Sequence, residues 1–253
     1  MSFKDRLAKQ DPLLGTFLKT PSPIICEVMG RAGIDAVCLD AEHAPFGRCE
    51  LDLCLMALRS QGVPAIVRIP TLSSEHVLNA LDCGATGILV PHIVTAADAE
   101  RAVDLAHYGR GRGYAGSSRS AGYMGRSMAE QLKAAGEETC VIAQIEDAEA
   151  LDHLDDLFRV EMVDAFFIGR ADLTVSLGFK DPSEPQVIDT VAEICRRAQA
   201  AGRTVGMFTG KADEIASWHE LGASLFLMSS DHAMMLAGAK SLNDTVRPQL
   251  ESR

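Results

Sequence analysis

The feature that most constrains this chain is a rhythm. Short apolar runs rich in Val, Ile and Phe recur, each closing on polar residues that lead into a segment of helical spacing. Strands are expected near 13–18, 34–39, 64–69, 86–90, 140–145, 163–168, 203–208 and 223–228. Helices are expected near 23–32, 48–60, 73–82, 96–107, 127–135, 147–157, 185–201 and 212–221. The strand runs are continuously apolar rather than alternating, the mark of strands covered on both faces in a parallel sheet. Eight strand–helix alternations in 253 residues predict an α/β fold, a single (β/α)8 TIM barrel. A doubly wound sheet is the rival with the same alternation. No linker, repeat or low-complexity tract divides the chain, so residues 1–253 read as one domain.

Two segments exceed a minimal barrel. Gly109 to Gly125 (GRGRGYAGSSRSAGYMG) is a Gly-rich loop without the order of a P-loop or a Rossmann fingerprint. From Asp231 the tail reads as a terminal helix or helix pair, whose Met234, Met235 and Leu236 either close the barrel or dock on another subunit.

Charge and cysteine usage exclude several classes. A formal net charge of −11 with no Lys/Arg-rich run argues against nucleic acid or an anionic membrane as partner. Any site for an anionic substrate must therefore be built locally. No apolar run approaches the roughly 20 residues that span a bilayer, and the polar start MSFKDRLAKQDP lacks an apolar leader core. A cytoplasmic location is expected. The 7 cysteines are scattered, with no CxxC pair, and are expected to be buried thiols rather than disulfides or zinc ligands.

The polar residues collect where strands end. Asp40, Glu42 and His43 follow the second strand in LDAEHAPFG, and Arg68 lies inside the apolar VPAIVRIP. Gln144, Glu146 and Asp147 end the fifth strand, Gly169, Arg170, Ala171 and Asp172 the sixth, and Ser229, Ser230 and Asp231 the eighth. In a barrel these ends converge on one face. Taken singly, Glu146 and Asp172 also suit helix N-termini, and His43 also suits a structural role. Arg68 is different, because a charge in an apolar strand needs a partner or a ligand. Together, two carboxylates suit a hard divalent cation such as Mg²⁺ or Mn²⁺. An arginine suits a carboxylate or a developing enolate oxygen, and a histidine suits proton transfer near neutral pH. That combination describes enolate chemistry beside a carbonyl.

These blocks, with VRIP (67–70), LDCGATGILVPHI (81–93), GRGYAGSSRSAGY (111–123), QIED (144–147), GRADL (169–173) and GASLFLMSSD (222–231), resemble the HpcH/HpaI family of metal-dependent aldolases acting on pyruvate and related 2-oxo acids. The resemblance covers nearly the whole chain. It implies a (β/α)8 barrel with Glu146 and Asp172 as metal ligands. It implies that His43, oriented by Asp40, is the acid/base residue working through metal-bound water. Arg68 would hold the substrate's oxo oxygen and stabilise the enolate, Gln144 would line the pocket, and the backbone of Gly169, Ala171 and Asp172 would receive the carboxylate. It further implies a hexamer, a trimer of dimers exchanging a C-terminal helix, in which Asp82 reaches a neighbouring subunit's site.

Three departures bear on the substrate. Arg170 stands where the family commonly has proline, and adds a cation beside the metal. The usual tyrosine–proline–proline lead into the glycine loop is replaced by His107-Tyr108-Gly109-Arg110-Gly111. Phe208 is bulky for the wall of an aldehyde pocket. The expected activity is cleavage of a 4-hydroxy-2-oxo acid to pyruvate, or an analogue such as hydroxypyruvate, plus an aldehyde, with Mg²⁺, Mn²⁺ or Co²⁺. A Schiff-base aldolase needs a pocket lysine; Lys19 and Lys211 alone lie near strand ends, and both are expected to be exposed. A coenzyme A-thioester lyase of the citrate or malyl type, and a non-catalytic 2-oxo-acid-binding barrel, are the remaining alternatives.

Overall fold

In the computed structural model, which describes residues 1–251, the apolar runs become eight parallel strands closed into a barrel in chain order. They are β1 (Leu13–Leu18), β2 (Ala36–Asp40), β3 (Ala65–Arg68), β4 (Gly87–Val90), β5 (Cys140–Ile145), β6 (Ala165–Ile168), β7 (Val205–Thr209) and β8 (Ala223–Ser230). Pairing of Leu13 with Leu225 and Leu14 with Phe226 closes β1 on β8. The helices are α1 (Phe3–Ala8), α2 (Pro23–Gly30), α3 (Arg48–Ser60), α4 (Ser74–Asp82), α5 (Ala96–Ala106), α6 (Met128–Glu138), α7 (Leu154–Arg159), α8 (Arg170–Ser176), α9 (Pro185–Ala200), α10 (Ile215–Glu220) and α11 (Asp231–Glu251). Ser73, Thr95 and Ser127 cap α4, α5 and α6, the last two as full capping boxes with Asp98 and Glu130. No helix among the described residues is long and apolar enough to cross a membrane.

Strand side chains alternate between two apolar layers. Val37, Leu39, Val67, Val141, Ala143, Phe166 and Ile168 pack outward against the helices. Ala36, Cys38, Ile66, Cys140, Ile142, Ala165, Phe167, Leu225 and Leu227 point into the barrel, joined by Phe3 and Leu7 of α1 at its N-terminal end. The same period of two, carried to the C-terminal ends, turns Lys19, Asp40, Arg68, Gln144, Gly169 and Ser229 inward. The register aligns Asp40 with Arg68 across β2 and β3. Site residues are thus the top layer of the barrel's own interior.

The structure departs from the sequence expectations in several places. The segments expected as helices at 147–157 and 212–221 each begin as a 3₁₀ turn before α7 and α10. Helix α8, not expected, starts directly after β6 and puts Ala171 and Asp172 in a first helical turn. The tail is one helix with only Asp231 buried, so Met234, Met235 and Leu236 do not close the barrel. Asp231 instead accepts from the backbone N–H groups of Lys19 and Thr20, each at 2.9 Å, tying the end of β8 to that of β1. The Gly-rich loop is pinned by arginines: Arg119 to Asp52 at 2.7 Å and Arg112 to Asp82 at 3.2 Å. Six cysteines are buried, Cys49 is exposed, and all are free thiols.

Candidate active site

A pocket of about 230 Å³ opens at the C-terminal ends of the strands, lined by Phe17, Lys19, His43, Arg68, Gln144 and residues 169–172 among others. Its apolar wall is Phe17, edge-on to Phe167 at 6.5 Å and tilted against Phe208 at 6.0 Å. A larger cavity, about 430 Å³, lies toward the other end of the barrel and contains none of these residues.

Asp40 organises the cationic side. Fully buried, it accepts from Arg68 Nε at 2.9 Å and Nη2 at 2.8 Å, a bidentate pair. It also binds Lys19 Nζ at 2.9 Å and the backbone N–H of His43 at 3.2 Å. Burial alone would raise the Asp40 carboxyl, but hydrogen bonds and charge from Arg68, then Lys19, hold it at about 2. Asp40 is therefore a permanent counter-ion, and the guanidinium it fixes stacks 4.9 Å over Phe17. Asp40 holds His43 through its backbone N–H at 3.2 Å, and the ring Nε2 faces Glu42 Oε2 at 3.6 Å. One expectation changes here: Lys19 is not a free surface lysine, since its ammonium joins the buried ion network and lines the pocket.

The anionic side is built by Glu42, His92 and Glu146, whose donor atoms lie within 4.8 Å of one another. Glu146 is buried; its Oε1 accepts from the His92 N–H at 2.9 Å and its Oε2 from the Gln144 amide. Glu42 Oε2 lies 3.2 Å from Arg68 Nη1 but off the hydrogen-bonding direction, which leaves it buried without a hydrogen-bond partner. Burial, opposed by Arg68 and the two histidines, pushes the Glu42 carboxyl up. Burial also raises that of Glu146, against the His92 N–H and Gln144, with the Glu42 charge adding to the rise. Two crowded carboxylates with an orphaned oxygen fit a hard divalent cation.

His92 sits in residues 91–93, immediately after β4, and carries no role among the residues expected from the sequence. The strand-end rule, applied to β4 as to its neighbours, is the signal that finds it. Asp172 lines the pocket in the first turn of α8, exposed and outside the three-donor cluster. Ala171 and Phe208 line it as well. Arg170 is no free cation: its guanidinium donates to the Pro182 carbonyl at 2.9 and 2.6 Å and pairs with Glu214 at 2.7 Å. Asp82 lies at the far end of α4 beside Arg112 and outside its own chain's pocket.

Gly169 is required by close approach. A Cβ there would lie 2.5 Å from Glu146 Oε2 and 2.8 Å from Gln144 Nε2. Gly169→Ala is expected to displace the Glu146 carboxylate and weaken Mn²⁺ binding by roughly 10–100-fold, the range for disturbed ligand support. Calorimetric titration checks this; unchanged affinity would show that Glu146 does not bear on the cation.

The chain is similar to known proteins over most of its length. Residues 13–237 match the family model for HpcH/HpaI aldolase/citrate lyase. The chain is 32% identical over 248 residues to a 5-keto-4-deoxy-D-glucarate aldolase of Salmonella arizonae, covering 97% of this chain and 96% of that one. An HpcH/HpaI aldolase/citrate lyase family protein from Burkholderia cenocepacia superposes with a TM-score of 0.91 at 32% identity, over 96% of this chain and 98% of that one. The citrate synthase SbnG superposes at 0.88 with 28% identity over 99% of both chains. With a matching family model over most of its length and relatives aligned end to end, the chain belongs to the HpcH/HpaI aldolase/citrate lyase family.

Proposed function

We propose that the protein is a divalent-cation-dependent aldolase that reversibly cleaves a 4-hydroxy-2-oxo acid to pyruvate, or a related 2-oxo acid such as hydroxypyruvate, and an aldehyde. One juxtaposition carries the reading: a guanidinium fixed by Asp40 lies beside a carboxylate–imidazole corner that meets the pocket through Arg68 and Gln144. Glu146, with Asp172 as the resemblance implies, would hold Mg²⁺, Mn²⁺ or Co²⁺. A bound cation would supply Lewis acidity toward the oxo acid.

The chain's own residues do the rest. Arg68 binds the oxo oxygen and stabilises its negative charge as the enolate forms. His43, half-exposed at the pocket and near Glu42, moves the proton at the aldehyde-derived oxygen. The N–H groups at the start of α8, around Ala171 and Asp172, receive the substrate carboxylate. Phe17, Phe167 and Phe208 keep water from the reacting carbon. The relative from Salmonella makes 5-keto-4-deoxy-D-glucarate the first substrate to assay. The exposed apolar residues of α11, among them Leu242 and Leu250, support a hexamer built as a trimer of dimers, with Asp82 acting at a neighbour's pocket.

Lys19 gives the Schiff-base alternative a residue in the right place, so chelation is the deciding experiment. Dialysis against EDTA is expected to abolish cleavage, and Mg²⁺, Mn²⁺ or Co²⁺ to restore it. Activity that survives chelation but is lost to borohydride in the presence of substrate would assign the chemistry to Lys19.

A further inference from the structure

We propose that Arg170 is a positioning residue for the cation site: its guanidinium fixes the chain that leaves β6, and through it the carboxylates of Asp172 and Glu146. The inference rests on the cation-dependent reading above and names what holds that site in shape.

Nothing local fixes this stretch. Helix α8 has 7 residues, and a helix that short does not hold itself together in water. Its N-cap is Gly169, which makes no side-chain cap hydrogen bond and brings the backbone freedom of glycine. Ala171 and Asp172 are exposed, so Arg170 alone is buried ahead of Leu173 and Thr174.

Arg170 ties that turn to two other segments. Its Nε and Nη2 both donate to the Pro182 carbonyl, at 2.9 and 2.6 Å, which joins α8 to the connection before α9. Its Nη1 donates to Glu214 Oε2 at 2.7 Å, just ahead of α10, and the guanidinium lies 5.7 Å from the Trp218 ring centroid. Glu214 is itself held, accepting from Trp218 Nε1 at 3.3 Å and Thr209 Oγ1 at 3.4 Å. A planar fork engages both acceptors at once, which an ammonium cannot match. Both sides of the tether bear on a carboxylate. Asp172 stands two residues on and lines the pocket. Gly169 stands one residue back, so close to Glu146 that a Cβ has no room. A shift of residue 170 therefore moves both.

The competing arrangement is a charge role, in which Arg170 acts on the pocket only through its positive charge. Two substitutions separate them. Lysine keeps the charge and loses the fork. Proline loses the charge, yet at the first helical position it fixes φ at about −65° and costs no hydrogen bond the helix makes. Gly169 has ψ 73°, outside the α region that a following proline disfavours.

The test is calorimetric titration of the full chain with Mn²⁺. Arg170→Met and Arg170→Lys are expected to bind roughly 10–100-fold more weakly, the range for lost support of metal ligands. Arg170→Pro is expected to stay within about 3-fold of the wild type. Glu214→Gln, outside the pocket and of unchanged shape, is expected to weaken binding in the same direction, and keeps the test readable if Arg170→Met fails to fold. Wild-type affinity in Arg170→Lys, or Arg170→Pro as weak as Arg170→Met, would overturn the inference and leave the aldolase reading standing. Failure of the wild-type chain to bind any divalent ion, with cleavage surviving EDTA, would overturn both.

Discussion

Glu146→Gln is expected to lower kcat/KM by on the order of 10³-fold at saturating Mn²⁺, about 4 kcal/mol of transition-state stabilisation, with little change in unfolding midpoint. The substitution keeps the shape of a side chain buried at the end of β5 and removes its charge. The stability follows from the hydrogen bonds around it. A glutamine oxygen can still accept from the His92 N–H, as Glu146 Oε1 does at 2.9 Å. The new amide would face Gln144, whose own Oε1 is buried without a partner and becomes an acceptor once that amide rotates. Steady-state kinetics and urea unfolding separate the two quantities. A variant that stays active would place the cation elsewhere.

Arg68→Met is expected to cost about 3–5 kcal/mol of stability, the range for breaking a buried ion pair from one side, and to remove turnover as well. Asp40 is wholly buried and would keep only Lys19 and the His43 N–H, while Glu42 would lose the cation 3.2 Å away. Pairing the change with Asp40→Leu is expected to recover part of the stability, because the wholly buried Asp40 charge is no longer left without its guanidinium. Glu42 still lacks its cation, and Lys19 loses its carboxylate. The double variant is expected to remain inactive, since on the proposed function the enolate oxygen has lost its guanidinium. Losses in stability that simply add would show that Arg68 and Asp40 are not an energetic unit.

The barrel was legible because parallel strands covered on both faces leave uninterrupted apolar runs, and segments of helical spacing fill the gaps between them. Arg68 was legible for the opposite reason, a charge interrupting such a run. What escaped was partner choice. Glu42 takes its meaning from Arg68, His92 and Glu146, which only barrel closure brings to it. Arg170 resembled a pocket cation until Glu214, 44 residues on, and the Pro182 carbonyl claimed it. Lys19 resembled a solvated lysine because nothing local foretells the buried carboxylate of Asp40 beneath it. Helix α8 was missed because it is only 7 residues long and follows β6 with no connecting loop.

The central claim, a cation-assisted enolate, is tested most directly without any aldehyde. Pyruvate incubated with the protein and Mn²⁺ in D₂O is expected to exchange its methyl protons for deuterium, read by mass spectrometry. Exchange is expected to stop with EDTA and with Glu146→Gln. A methyl group that stays protonated while pyruvate is bound, or exchange that continues undiminished under EDTA, would contradict it.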